Sequence, residues 1–217
     1  MAPRLRRPRR AARLVLPLLA LVVAATACLP PFRGPAGAPK AVLFGDSLLF
    51  TADFSGAIDT RFDAVGWQRA VVSGIAVGVN VHRNDINQVP ASGARAALLD
   101  HGTTEANRAS LSGAGATASM DRSAADLVGA VDALAPVPCV VLVTVNQHGG
   151  TPTFNSWASR YNWAILALDL NRPNVRVLDW SGRSFGHPEW FSDDGVHFTE
   201  AGKVAYSEAV AGAVAAC

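Results

Sequence analysis

Three side chains of this 217-residue chain are of the types that together activate a hydroxyl: Ser47, Asp194 and His197. A serine oxygen attacks a carbonyl only when a neighbouring base takes its proton. An imidazole serves as that base when an acidic group fixes its tautomer and stabilises its cation. Ser47 stands in "FGDSLLF", and Asp194 and His197 stand together in "SDDGVHFTEAG". With acid and base tied to one short loop, only the serine has to be delivered by the fold. Each piece alone has a plainer reading: Ser47 as a helix N-cap, and His197 as a polar residue leading into a helix capped by Thr199, with Glu200 in its first turn. Their joint occurrence favours nucleophile, base and orienter, with Asp193 competing with Asp194 for the last role.

Such a constellation needs elements that end at a common edge. Short β-rich runs lie at 40–45, 69–73, 94–100, 139–145 and 174–180, and four of the five are strongly apolar, as strands covered on both faces are. Helical stretches are expected at about 47–60, 119–135, 153–171 and 199–215. In the second of these, Ala125, Val128, Val131 and Leu134 form a candidate core-facing stripe. The alternation predicts a single three-layer, doubly wound α/β domain from residue 40 to 217, with a parallel sheet of about five strands. In that architecture chemistry gathers where strands end and loops begin, and Ser47, "LLDHGTTEAN" and "SDDGVHFTEAG" all fall there.

The formal charge of +2 hides an asymmetry. Six arginines, from Arg4 to Arg13, precede any acidic residue. The remaining 13 basic residues face 17 acidic ones, a net of −4. A body of that sign offers no basic stripe to a nucleic-acid backbone. Residues 1–27, arginine-rich and then apolar from Leu14 to Ala27, read as an export signal, too short and Pro-interrupted for a mature membrane span. Small residues before Cys28 fit a lipidated cysteine there; plain cleavage after Ala27 and an uncleaved anchor are the alternatives. A lipid at Cys28 is the one membrane attachment expected. Residues 28–39, rich in Pro and Gly, read as a tether. In an exported protein Cys139, opening a strand, and Cys217, closing the last helix, are expected to pair, two free thiols being the alternative.

The motifs carry a resemblance. "GDSLL" around Ser47 and "DGVH" around Asp194 and His197 resemble the first and last blocks of the SGNH or GDSL-type esterases and acyltransferases, and "HGTTEA" sits where that family has G-x-N-D. The whole is also similar to the SGNH domains of bacterial cell-envelope acyltransferases. The resemblance implies an acyl-enzyme on Ser47, an O-acyl ester substrate, either small or an acylated envelope glycan, and no cofactor. It assigns oxyanion donors to the amides of Ser47 and Gly74, with Gly78 competing, and to the position of Thr104, where the family asparagine is absent and Asn107 is the alternative. Glu105 stands for the family aspartate. The competing class is a non-catalytic binding or scaffold protein of the same fold.

Other polar residues suggest less. His82, Asn84 and Asp85 lack metal-ligand spacing and read as a surface turn, and Asp46, His101 and His197 make no strong metal pattern. Asn146, Gln147 and His148 read as a polar loop within reach of substrate. Trp157, Trp163, Trp180 and Trp190 are expected in the core or at a rim rather than as a glycan platform.

Overall fold

The computed structural model describes residues 29–217; the stretch read as an export signal, and Cys28, lie outside them. The elements run in chain order as β1 (Lys40–Gly45), α1 (Ser47–Phe54), α2 (Ala57–Ala64), β2 (Gln68–Ser73), α3 (Arg83–Ile86), β3 (Ala96–Asp100), α4 (Thr103–Leu111), α5 (Ala116–Ala133), β4 (Cys139–Val143), α6 (Pro152–Asn171), β5 (Val175–Leu178), α7 (Trp180–Ser184) and α8 (Glu200–Ala215). The five strands pair in the order β2-β1-β3-β4-β5, every neighbour parallel. Helices cover both faces, as a sheet of near-continuous apolar strands requires. Every residue of β3 and β4 is buried. Val42, Phe44, Ala97 and Leu142 pack toward α3 to α6, while Leu43, Leu98 and Val141 pack toward α1, α2 and α8. The three-layer, doubly wound architecture expected from the strand runs is therefore present. Its strand order reverses between β1 and β3, and the crevice at that switch point is where such folds hold ligands.

Four local expectations are corrected. The stretch 47–60 is two helices, because the chain breaks at Ser55 and at Gly56, whose φ is +78°. The core face of α5 is Met120, Leu127, Ala130 and Val131, whereas Ala125 and Val128 face solvent. His82 is buried rather than on a surface turn; its ring lies 5.3 Å from that of His101 and 5.9 Å from that of Phe44. Residues 29–39 are not a free tether. Leu29 and Phe32 pack on the core, and Arg33 exchanges backbone hydrogen bonds of 2.9 Å with Arg69 at the edge of β2. Arg33 also pairs with Asp53 at 2.6 Å and Asp59 at 3.2 Å, and Lys40 lies over the Phe32 ring.

Cys139 and Cys217 form a disulfide, as expected. It joins the start of β4 to the end of α8, at the sheet edge opposite the three polar clusters.

Candidate active site

The serine is freed from capping duty by its neighbour. Asp46, buried between β1 and α1, is the N-cap, its Oδ1 accepting the Leu48 amide at 3.1 Å, which leaves Ser47 as the first helical residue with its hydroxyl available. Ser47 Oγ lies 3.2 Å from His197 Nε2, and His197 Nδ1 lies 2.6 Å from Asp194 Oδ2. A proton on Nδ1, held by the carboxylate, leaves Nε2 as the acceptor that faces the serine. The structure thus brings together all three residues of the expected chain; Asp193 makes no bond to the ring.

The loop carrying acid and base is held by its own backbone. Asp194 Oδ1 accepts from the amides of Val196 and His197, both at 2.9 Å, and from the Ser192 hydroxyl at 2.9 Å. Partial burial alone would raise the Asp194 carboxyl, but the bonds from the His197 ring, the two amides and Ser192 outweigh it and hold it well below the usual carboxylate range. Gly195 has φ +68° and its carbonyl meets Gly149 so closely that a side chain at either residue would collide. Asn146 Nδ2 donates to the same carbonyl at 3.3 Å, fastening the β4–α6 loop to the loop of His197. Thr199 then caps α8 through the Gly202 amide at 3.2 Å, as its position suggested.

Ser47 and His197 open into a cleft of about 440 Å³ whose other walls include Ile75, Ala76, Thr104, Asn107 and Phe154. The expected oxyanion groups are only partly free. The Gly74 amide donates to the Gly45 carbonyl at 3.2 Å, continuing the β1–β2 ladder, so an incoming oxyanion would share it with that bond. The Thr104 amide donates to Asp46 Oδ2 at 3.2 Å, while its hydroxyl takes no partner among the described residues. Gly78, the competing glycine, faces the Glu105 carboxylate instead.

Sequence reasoning missed how the 74–79 turn is held. Ala76 has φ +56°, the sole non-glycine residue with positive φ among those described. Two side chains of α4 grip this strained turn: Arg108 Nη2 donates to the Ala76 carbonyl at 2.8 Å, and buried Glu105 Oε1 accepts the Val79 amide at 3.0 Å. The one signal was Glu105 itself, a longer acid where the family has aspartate. Behind the nucleophile lies a buried set of ionisable groups. Burial pushes Asp100 up to about 6 against the hydrogen bond from Tyr206, and burial, reinforced by His82, pushes His101 down to about 3. Asp46 and Glu105 are raised for the same reason, burial. Among the described residues no group of three or more His, Cys, Asp or Glu could hold a metal.

A parallel α/β sheet with serine, imidazole and carboxylate in hydrogen-bonded order at its carboxyl edge is the arrangement of an α/β serine-hydrolase site. Solved structures share this fold. The C-terminal catalytic domain of peptidoglycan O-acetyltransferase A from Streptococcus pneumoniae, seen with a methylsulfonyl adduct, superposes with a TM-score of 0.63 at 19% identity, covering 82% of this chain and 93% of that one. An acetylxylan esterase from Geobacillus stearothermophilus superposes with a TM-score of 0.64 at 14% identity, covering 81% and 94%. The chain therefore has the SGNH-hydrolase fold, and the resemblance carried by its motifs is borne out. In sequence it is 50% identical over 50 residues to peptidoglycan O-acetyltransferase OatA of Listeria monocytogenes, and 37% identical over 54 residues to O-acetyltransferase OatA of Staphylococcus aureus. The match spans 8% and 9% of the length of those proteins. No protein-family model matches the chain.

Proposed function

We propose that this protein is an exported serine esterase or O-acyltransferase acting on O-acyl, and specifically O-acetyl, esters. The observation that carries the reading is the hydrogen-bonded order Ser47, His197, Asp194 at the mouth of a cleft. His197 Nε2 takes the serine proton as Oγ bonds to the ester carbonyl carbon, and the negative oxygen of the tetrahedral intermediate faces the Ser47 amide and the 74–76 turn. The intermediate collapses with loss of the alcohol, which leaves with the proton from His197, and an acyl group remains on Ser47. Water or a second hydroxyl, deprotonated by the same imidazole, then releases the acyl group as acid or new ester. The similar proteins, a peptidoglycan O-acetyltransferase and an acetylxylan esterase, support an O-acetylated glycan as substrate. Export, with a lipid at Cys28, rests on the N-terminal sequence.

The test is hydrolysis of a small acetyl ester together with labelling by a serine-directed sulfonyl or phosphonyl probe. The reading expects turnover and one label, both abolished by Ser47→Ala. A second reading, a non-catalytic binding protein, is favoured by Thr104 in place of the asparagine and by the engaged Gly74 amide. It gains the ground if the parent is inert and unlabelled and Thr104→Asn restores nothing.

A further inference from the structure

Of the four tryptophans expected in the core or at a rim, Trp163 is 71% exposed on α6, whereas Trp180 is buried against Trp190, Phe198 and Tyr206. The Trp163 indole borders a second pocket, of about 320 Å³, between α6, the β4–α6 loop and the start of α7. This pocket opens at the same carboxyl edge of the sheet as the Ser47 cleft, since Thr144 follows β4 and Asp179 follows β5.

The pocket's hydrogen-bonding groups divide into those already committed and those free. Asn162 is committed, bonding the Val145 amide at 2.8 Å and its carbonyl at 2.9 Å, and so shapes the wall. Asp179 Oδ1 is committed to the Thr144 hydroxyl at 3.0 Å and the Gly182 amide at 2.9 Å, but Oδ2 has no protein partner among the described residues. The Ser159 hydroxyl and the Gln147 amide nitrogen likewise make no bond to described protein atoms. The free set is an aromatic face, a carboxylate acceptor, a hydroxyl, an amide donor and the His148 ring, which touches Phe185 edge-on and hydrogen-bonds no described residue. No lysine or arginine lines the pocket, so an anionic ligand would meet Asp179 without a compensating charge. A neutral ring with one apolar face and hydroxyls at its rim, each both donor and acceptor, satisfies the indole and the polar groups together, which is the chemistry of a pyranose.

The β4–α6 loop separates this pocket from the Ser47 cleft: Gln147 and His148 line one side, while Gly150, Thr151 and Phe154 line the other. Only Gly149 and Gly150 separate His148 from Thr151, three residue steps that span at most about 11 Å. We propose that the Trp163 pocket is a subsite for a neighbouring sugar unit of an oligosaccharide whose acyl ester lies at Ser47. This rests on the ester reading above, and makes the substrate an oligomer rather than a free monosaccharide ester.

The test uses the full chain. Ser47→Ala protein is titrated with chitotetraose and, separately, xylotetraose, following the backbone amide resonances of Gln147 and Gly182 at the pocket wall by NMR; shifts that saturate with at least one of them are expected, and are lost in Trp163→Ala. In active enzyme, kcat/KM is measured on an acetylated oligomer and on a small acetyl ester. Trp163→Ala should lower the ratio of the two about tenfold, through KM, with Gln147→Ala changing it in the same direction. Leu170→Ala, exposed one turn beyond the pocket, should leave it alone. No shift with either sugar, or a ratio unchanged in Trp163→Ala, overturns the subsite. So does concentration-dependent self-association of the parent that Trp163→Ala abolishes, which would make the indole a protein contact. An enzyme inert on the small ester that still shows the saturating shift would sink the ester reading and leave the pocket standing.

Discussion

At the scale of single residues, the arrangement around His197 separates two adjacent acids. Asp194 receives the ring and three further donors, while Asp193 receives none of them. Asp194→Asn should therefore lower kcat on an acetyl ester by about three to four orders of magnitude, because an amide can present a donor to Nδ1 and favour the wrong tautomer. Asp193→Asn should stay within about twofold of the parent; equal losses would mean that the acid role is shared. A second residue-scale prediction concerns His101, which is buried with neither ring nitrogen bonded. Its folded value, about 3, lies below the unfolded value of about 6.5, so the unfolded chain binds the extra proton between those limits. Stability from this group is complete above about pH 6.5 and is lost as pH falls toward 3. Asp100, raised to about 6, works in the opposite sense, costing stability as pH rises from about 4 to 6. His101→Leu should flatten the acid-side fall of the urea midpoint, since an apolar side chain of similar size leaves no orphan nitrogens. Parallel curves for variant and parent would refute it.

Among the elements, α4 is the one that joins the fold to the chemistry. Its first turn supplies Thr104 to the cleft and its second grips the 74–79 turn through Arg108. Arg108 is exposed, so Arg108→Ala should fold normally. Loosening a turn that faces the developing oxyanion should lower kcat about tenfold with KM little changed, and Arg108→Lys should recover part of it by restoring a donor to the Ala76 carbonyl. An unchanged kcat would show that Glu105 alone holds the turn. This helix was also the one most hidden in the sequence. "TTEANRASL" is polar, yet its first turn is buried, with the Thr104 amide donating to Asp46 after β1 and the Glu105 carboxylate accepting from Val79 after β2. The strands were legible because burial on both faces writes itself as unbroken apolar runs. Ser47, His197 and Asp194 were legible because their blocks are local. The state of the Gly74 amide and the grip on Ala76 depend on residues brought together from separate elements, and no local pattern encodes them. The packing of 29–39 was hidden for the same reason: its Pro and Gly spell a linker, while the contacts of Phe32 and Arg33 are decided by the edge of β2.

For the whole molecule, the disulfide is the long-range constraint. Closing a loop with a sequence separation of 78 residues removes unfolded-state entropy worth about 4 kcal/mol in the chain-entropy account. Reduction should lower the thermal midpoint by about 8 to 16 °C, read by circular dichroism with and without a reductant, since 1 kcal/mol moves a domain of this size by about 2 to 4 °C. The ring it closes holds β4, α6, β5, α7 and α8, and with them Asp194, His197 and the Trp163 pocket; Ser47 lies outside it. A protease nick within the ring, at the exposed Phe185–Gly186 corner for instance, would leave two fragments that still migrate as one chain without reductant, with acid and base still fastened to β4. A nick between Ser47 and Cys139 would leave the nucleophile with no covalent path to its partners. In an environment rich in proteases, the half of the site that needs two residues in register is the half enclosed in a covalent loop.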